Sequence, residues 1–176
     1  MRRLTGLDAQ FLAGERGAAT SHAIGLILYE TGDPRLDAGT VKRLLSRRIH
    51  EPTPLRWRLE SVPLSLDHPV FVDTDVDLDE HVDELTLPEP ADERALGRLV
   101  GELLATPLDR TRPLWRIAVI HGLEGRVALA FAIHHAAADA FAMRQMFGIL
   151  IDDLGAPPPG GDGDSGQAGR APHRGE

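Results

Sequence analysis

Long apolar runs predict the main strands of this chain. HAIGLILYE, residues 22–30, is almost continuously apolar and is flanked by polar or turn-forming residues, which predicts a strand buried on both faces. Two further apolar runs, at 114–123 and 126–135, are joined by Glu124 and Gly125. Turn residues between two such runs predict an antiparallel β-hairpin.

Two shorter segments and an acidic one lie between the first strand and the hairpin. LRWRLESV at 55–62 alternates apolar and polar residues, and HPVFVD at 68–73 is short and apolar, so both are predicted to be strands. The segment 73–85 is rich in acidic residues, but it lacks the central glycine and the glutamate spacing of an EF-hand calcium loop. We therefore expect a solvated connector that leads to Pro88 and Pro90.

Apolar residues at helical spacing predict three helices. The segment 37–49 has this spacing, with an aspartate and a threonine available as N-cap. The segment 91–109 has the strongest pattern, an apolar stripe at positions i, i+3, i+4, i+7 and i+8. The segment 138–154 returns to helical spacing and has Asp139 near its start, where a carboxylate interacts favourably with the helix dipole.

The chain changes character after Leu154. The last 22 residues are half glycine or proline and contain no large apolar side chain. Such a segment buries too little apolar surface to offset the entropy lost on ordering, so residues 156–176 are predicted to be a disordered tail. Residues 1–155 are predicted to form one domain of the α/β or α+β class, with helices flanking a mixed sheet.

Composition and charge narrow the classes of function. The net charge of −8 argues against a nucleic-acid partner, which usually meets a basic face. Cysteine is absent, which excludes disulfides and thiolate metal sites and fits a cytoplasmic location. No run approaches the ~18–20 apolar residues of a membrane span. Amphipathic segments leave peripheral contact with the inner membrane or with lipid inclusions open.

FAIHHAAADAFAM, residues 131–143, places two histidines where the second strand of the predicted hairpin ends. Successive side chains of a strand point to opposite faces, so His134 and His135 cannot both face one site. From the residues alone, three interpretations stay open. The histidines could be structural with Asp139 capping the next helix, they could bind a metal, or one could act as a general base. Adjacent histidines are poorly placed to share one ion, and no third ligand stands at a telling spacing.

General-base catalysis has a clear chemical rationale in such a segment. An unperturbed imidazole has a pKa near ~6.5, so a neutral histidine can take a proton from a hydroxyl group at physiological pH. The sequence contains neither cysteine nor a serine in a G-x-S-x-G context. A covalent acyl-enzyme is therefore disfavoured, and direct transfer between two bound substrates fits better.

Three blocks of sequence resemble one known family. HHAAADA, 134–140, resembles the HHxxxDG signature of CoA-dependent acyltransferases. LTGLDAQFL, 4–12, followed by His22, resembles the N-terminus of the bacterial wax ester synthase/diacylglycerol acyltransferase family. PLDRTRPLW, 107–115, resembles that family's PLDRxRPLW element. The resemblance covers residues 1–155 and implies the N-terminal half of a CoA-dependent acyltransferase fold.

The resemblance also implies roles for individual residues. His135 would be the general base that deprotonates the hydroxyl of a fatty alcohol or diacylglycerol, whose alkoxide then attacks the thioester of an acyl-CoA. His134 would support it, and Asp139 would orient the loop through a charged partner such as Arg110 or Arg112. Acyl-CoA would be a substrate, and neither a cofactor nor a metal is implied.

The PLDRTRPLW segment would end one helix at Pro107 and begin a strand after Pro113, and its charged residues, Asp109 among them, would buttress the site. Ala140 stands where the family signature has glycine. An alanine there costs about 1 kcal/mol or more if the backbone needs a positive φ or a close approach to substrate.

Family enzymes consist of two similar halves with the active-site channel between them, and this chain resembles only the first half. We therefore expect either the C-terminal half or a second copy of the chain as a partner, and weak activity of the chain alone. The alternative is a non-catalytic lipid-binding or interaction protein that keeps the fold.

Overall fold

The computed structural model describes residues 1–15, 19–30, 36–50, 54–138 and Gly148. Within these residues, three α-helices and seven strands are interspersed along the chain, which confirms the mixed fold class. The elements are β1 (Arg2–Arg3), α1 (Gly6–Gly14), β2 (His22–Glu30), α2 (Ala38–Arg48), β3 (Trp57–Glu60), β4 (Val70–Asp73), β5 (Val82–Thr86), α3 (Glu93–Ala105), β6 (Trp115–His121) and β7 (Arg126–His134).

The described strands form two sheets. The larger has the order β2-β7-β6-β5 and the smaller the order β1-β4-β3. Only β5 and β6 run parallel; the other neighbouring strands are antiparallel. The central strands β6 and β7 form the predicted hairpin, and nearly all of their side chains are buried. At the hairpin turn Gly125 has φ +63°, a left-handed conformation that glycine adopts without steric cost.

Side-chain caps fix where the three helices begin. Asp37 and Asp92 each accept a hydrogen bond from the backbone N–H three residues on, and the helices predicted after them, α2 and α3, are confirmed. Helix α1 was not predicted from the sequence. Its start is a capping box in which Thr5 and Asp8 each accept the other's backbone N–H, at 3.2 and 2.8 Å.

The strand predicted at 22–30 is confirmed as β2, but its predicted burial on both faces is wrong. Leu26 and Leu28 are 43% and 41% exposed. β2 pairs only with β7 among the described strands and is therefore an edge strand. Helix α3 packs near Ile24 and leaves the two leucines further along the strand open to solvent.

The solvated connector predicted at 73–85 is also wrong in its second part, which forms β5. This strand pairs in parallel with β6. Asp83 lies 2.6 Å from Arg116, and Glu84 lies 2.8 Å from His121, both on the neighbouring strand. Two of the acidic residues that suggested a solvated segment, Asp83 and Glu84, are thus paired across the sheet.

Two predictions concern parts of the chain that the structure does not describe. The helix at 138–154 lies outside the described residues except for Ala138 and Gly148, and the tail at 156–176 lies wholly outside them. Among the helices that are described, none is both long enough and apolar enough to cross a bilayer.

Candidate active site

One edge of the larger sheet collects the histidines. β7 ends at this edge, and β2, β5 and β6 begin there, because β5 runs parallel to β6 and the other pairs are antiparallel. The register places His22 opposite His134. His81 immediately precedes β5, and His135 immediately follows β7. Residues far apart in sequence are therefore brought together along one line.

The two adjacent histidines face opposite ways, as strand alternation predicts. The His134 side chain is buried, with 1% exposure, whereas His135 is exposed. The backbone N–H of His135 donates to the carbonyl oxygen of Ser21 at 2.9 Å. Its ring stacks on Phe11 with the ring centroids 5.1 Å apart. The backbone and one ring face of His135 are therefore held while the imidazole remains accessible.

His134 is a buried, neutral imidazole. Its Nδ1 accepts the backbone N–H of Ala136 at 3.0 Å, so the ring proton resides on Nε2. Nε2 lies 3.1 Å from Oε1 of Glu15, but the geometry is not that of a hydrogen bond. Nε2 has no other hydrogen-bond partner among the described residues. Burial lowers the pKa of His134 to about 4, and the carboxylate of Glu15 offsets this only in part. His134 therefore lies behind His135 at the end of β7. We call this end of β7, together with the start of β2 beside it (His22, His134 and His135), the histidine corner.

Glu15 binds two other parts of the corner. One oxygen accepts the backbone N–H of Ser21 at 2.7 Å, and the other accepts from the guanidinium of Arg110 at 2.8 Å. Burial acts to raise the pKa of Glu15, but the hydrogen bonds from Arg110 and Ser21 outweigh it and the pKa lies below its usual value. The carboxylate is therefore ionised at neutral pH.

Sequence reasoning missed both Glu15 and Phe11. Their signal was present in the N-terminal block, because the Thr5–Asp8 capping box predicts a helix after Thr5. Residues four apart lie on the same side of a helical turn, so Phe11 and Glu15 can be expected to approach one target together. What the local pattern did not contain was the identity of that target.

The two arginines of the PLDRTRPLW segment are paired with groups elsewhere in the chain, whereas Asp109 is paired within the segment. Arg110 donates to the carbonyl oxygen of Leu12 at 2.6 Å as well as to Glu15. Arg112 lies 2.9 Å from Glu80 and 3.4 Å from Asp109. Hydrogen bonds from the Thr111 hydroxyl and backbone N–H hold the pKa of Asp109 below its usual value. The segment therefore contacts the residues around His134 through the Arg110–Glu15 ion pair, and Arg112 ties it to Glu80, next to His81.

Asp139 and Ala140 lie outside the described residues. The prediction that Asp139 pairs with Arg110 or Arg112 therefore stays a prediction. In the described part of the chain both arginines already have carboxylate partners.

Trp115 and His81 form a stacked pair at the start of β6. The Trp115 side chain is buried, and its Nε1–H donates to the carbonyl oxygen of Leu55 at 2.8 Å. The His81 ring stacks on it at a centroid distance of 4.2 Å, and Nδ1–H of His81 donates to the Trp115 carbonyl oxygen at 2.8 Å. Burial lowers the pKa of His81, which favours this neutral tautomer.

A cavity of ≈ 200 Å³ opens beside this pair. Its lining includes His81 and Trp115 together with Asp109 and Arg112, but not His135. The cavity is therefore bordered by the PLDRTRPLW segment, and the exposed imidazole of His135 does not line it.

His22 completes the row of histidines. It is 6% exposed, and neither ring nitrogen has a hydrogen-bond partner among the described residues. The described residues also contain no group of three or more side chains able to hold a metal ion together. Of the histidines at this corner, His135 has the accessibility that proton transfer to or from a bound hydroxyl group requires.

The sequence of the chain was compared with known protein families and with individual proteins. The wax ester synthase/diacylglycerol acyltransferase catalytic domain family matches residues 4–172. Two proteins of Mycobacterium tuberculosis, each named as a diacylglycerol O-acyltransferase, are 36% and 37% identical to the chain. The matches cover 87% of this chain in both cases, but only 33% and 34% of the relatives. The chain thus spans about a third of their length.

Solved structures agree with this assignment. The wax ester synthase/diacylglycerol acyltransferase from Marinobacter aquaeolei is 28% identical, with a TM-score of 0.71 over 84% of this chain and 36% of that one. The first condensation domain of the calcium-dependent antibiotic synthetase shares the fold, at 20% identity and a TM-score of 0.65 over 90% of this chain and 39% of its own. The chain therefore belongs to the wax ester synthase/diacylglycerol acyltransferase family.

Proposed function

We propose that the chain carries the general base of an acyl-CoA-dependent O-acyltransferase, which transfers a fatty acyl group to diacylglycerol or to a long-chain alcohol. The observation that supports this most is the state of His135. Its imidazole is exposed at the end of a buried strand, while its backbone and one ring face are held by Ser21 and Phe11. Membership of the wax ester synthase/diacylglycerol acyltransferase family supports the proposed substrate classes.

In the proposed reaction, neutral His135 removes the proton of the acceptor hydroxyl. The alkoxide oxygen then attacks the thioester carbonyl carbon, so that a C–O bond forms and the C–S bond breaks. The CoA sulfur leaves as a thiolate and takes up the proton that His135 had removed from the acceptor hydroxyl. The base is thereby regenerated, and no acyl-enzyme is formed. General-base catalysis of this kind typically contributes about 10²–10⁴ in rate.

The neighbouring groups assist this proton transfer indirectly. Neutral His134 behind the base adds no positive charge that would oppose the imidazolium formed in the transition state. The ionised Glu15 adds a negative charge to the same corner, which favours that imidazolium. Asp139, four residues further along the chain, is proposed to orient the loop after His135.

The substrates determine the other expected partners. Acyl-CoA and a lipid alcohol are long molecules, so the proposal includes a second channel wall, from the C-terminal half of a family enzyme or from a second copy of this chain. It also includes substrate delivery at a membrane or lipid-inclusion surface, because the acceptors partition into lipid.

The test is acyl transfer from radiolabelled palmitoyl-CoA to hexadecanol and to diolein, with the products separated by thin-layer chromatography. We expect weak but measurable label in wax ester or triacylglycerol with the natural chain alone, and at least about 100-fold less with His135→Ala. His68→Ala is the matched control, because His68 is also exposed but lies two residues before β4 of the smaller sheet.

Two results would contradict the proposal. One is undiminished ester formation by His135→Ala, and the other is an equal loss with His68→Ala. If the chain binds palmitoyl-CoA but forms no ester with any acceptor, the alternative of a non-catalytic lipid-binding protein is favoured. The alanine at position 140 is the observation behind that alternative.

A further inference from the structure

We propose that Glu15 is a positioning residue for acyl transfer, which ties helix α1, the PLDRTRPLW segment and the start of β2 to the histidine corner. This inference rests on the proposed function of His135 as the general base. Glu15 itself does not reach solvent freely, since its side chain is only 11% exposed, so it acts through the groups that it holds.

The first link runs through Ser21. Glu15 accepts the backbone N–H of Ser21 at 2.7 Å, and the carbonyl oxygen of Ser21 accepts the backbone N–H of His135 at 2.9 Å. The Glu15 carboxylate thus holds Ser21 in place, and the Ser21 carbonyl oxygen in turn holds the backbone of His135. A shift of Ser21 would move the hydrogen-bond partner of His135 directly.

The second link runs through Arg110 and helix α1. The guanidinium donates both to Glu15, at 2.8 Å, and to the carbonyl oxygen of Leu12, at 2.6 Å. Leu12 belongs to the last turn of α1, whose carbonyls have no partner within the helix. Phe11, on the same turn, stacks on the His135 ring. The backbone contact and the ring contact of His135 therefore share one anchor.

The third link concerns His134. The negative charge of Glu15 lies 3.1 Å from Nε2 and favours the tautomer with the proton on that nitrogen. Nδ1 is then free to accept the backbone N–H of Ala136 at 3.0 Å, which shapes the turn that follows His135. Glu15 thus acts on both chain neighbours of His135, on His134 directly and on Ala136 through the His134 ring.

These three links together require a carboxylate. Glu15 accepts hydrogen bonds from two donors on two separate oxygens, and it faces a third group. Glutamine has one acceptor oxygen and would present a donor to either Arg110 or Ser21. Glu15→Gln is therefore expected to weaken the corner, and Glu15→Ala to weaken it more.

The first measurement is amide hydrogen exchange by NMR in the full chain. In Glu15→Ala we expect the His135 amide to exchange at least about 10-fold faster than in the natural chain, because opening at the corner becomes easier. The amide of Val119, buried in the middle of β6, reports global opening and is expected to change less. Glu93→Gln is the control, because it removes an exposed ion pair with Arg126 at a distance from the corner.

The second measurement is steady-state kinetics of palmitoyl transfer to hexadecanol. Small displacements of a catalytic group can cost ~10²-fold in rate. We expect kcat of Glu15→Gln to fall about 10- to 100-fold, while KM for palmitoyl-CoA stays within about threefold. Glu93→Gln is expected to retain both values. A residue needed only for folding would lower the active fraction and leave the His135 amide no more affected than that of Val119.

Three results would overturn the proposal. These are an unchanged His135 amide in Glu15→Ala, equal acceleration at His135 and Val119, and a rise in KM with kcat unaffected. If the natural chain forms no ester at all, the proposed function fails, while the exchange data still decide whether Glu15 holds His135.

Discussion

Burial of His134 makes the stability of the chain sensitive to acid. In the unfolded chain a histidine has its ordinary pKa near ~6.5, whereas burial lowers the pKa of His134 in the folded chain to about 4. The folded state then binds fewer protons than the unfolded state between these values. The contribution of neutral His134 to the free energy of unfolding is therefore complete above the pKa that this histidine has in the unfolded chain. It is lost as the pH falls towards the pKa of His134 in the folded chain.

The size of the loss follows from the pKa difference. A difference of about 2.5 pKa units corresponds to about 3 kcal/mol, of which about 2 kcal/mol is lost between pH ~7 and ~5. Replacing the titrating group should remove this contribution. His134→Asn is suitable, because its side-chain oxygen can still accept the N–H of Ala136 but does not titrate in this range.

The assay is urea-induced unfolding followed by tryptophan fluorescence at several pH values. We expect the free energy of unfolding of the natural chain to fall by about 2 kcal/mol more than that of His134→Asn between pH ~7 and ~5. His81, whose pKa is also lowered by burial, acts in the same direction in both proteins and cancels in the difference. Parallel pH profiles for the two proteins would refute the reasoning.

Two further predictions concern packing and association. Trp115→Phe removes the hydrogen bond to the carbonyl oxygen of Leu55 and should lower the free energy of unfolding by about 2 kcal/mol in urea titrations. Trp57→Phe, at a half-buried tryptophan, should cost less than about 1 kcal/mol, and equal losses would contradict the assigned role of the bond. The exposed apolar residues of edge strand β2 should promote self-association, which Leu26→Lys should reduce in light scattering. A natural chain that stays monomeric at high concentration would contradict this expectation.

Local sequence patterns were sufficient for the elements that depend on local chemistry. The hairpin follows from two apolar runs around a glycine, and α2 and α3 follow from an apolar stripe behind an aspartate cap. The resemblance of HHAAADA to a family signature pointed to His135 before its exposure was known. These features are written within short stretches of chain.

The features that the sequence analysis missed depend on distant residues. The last part of the acidic segment forms β5 through parallel pairing with β6, where Arg116 and His121 also pair with its carboxylates. The exposed leucines of β2 follow from its place at the sheet edge, which its own apolar pattern does not contain. Glu15 gains its role from Arg110, 95 residues away in sequence. Pairings over such separations are decided by the topology rather than by the local pattern.

The most direct test of the account is acceptor-dependent release of CoA, measured with a thiol reagent. The chain contains no cysteine, so the reagent reports only the thiol of the product. We predict that hexadecanol or diolein accelerates CoA release from palmitoyl-CoA by the natural chain and has no such effect with His135→Ala. Acceptor-dependent release that persists at the natural rate in His135→Ala would contradict the central claim that His135 is the general base.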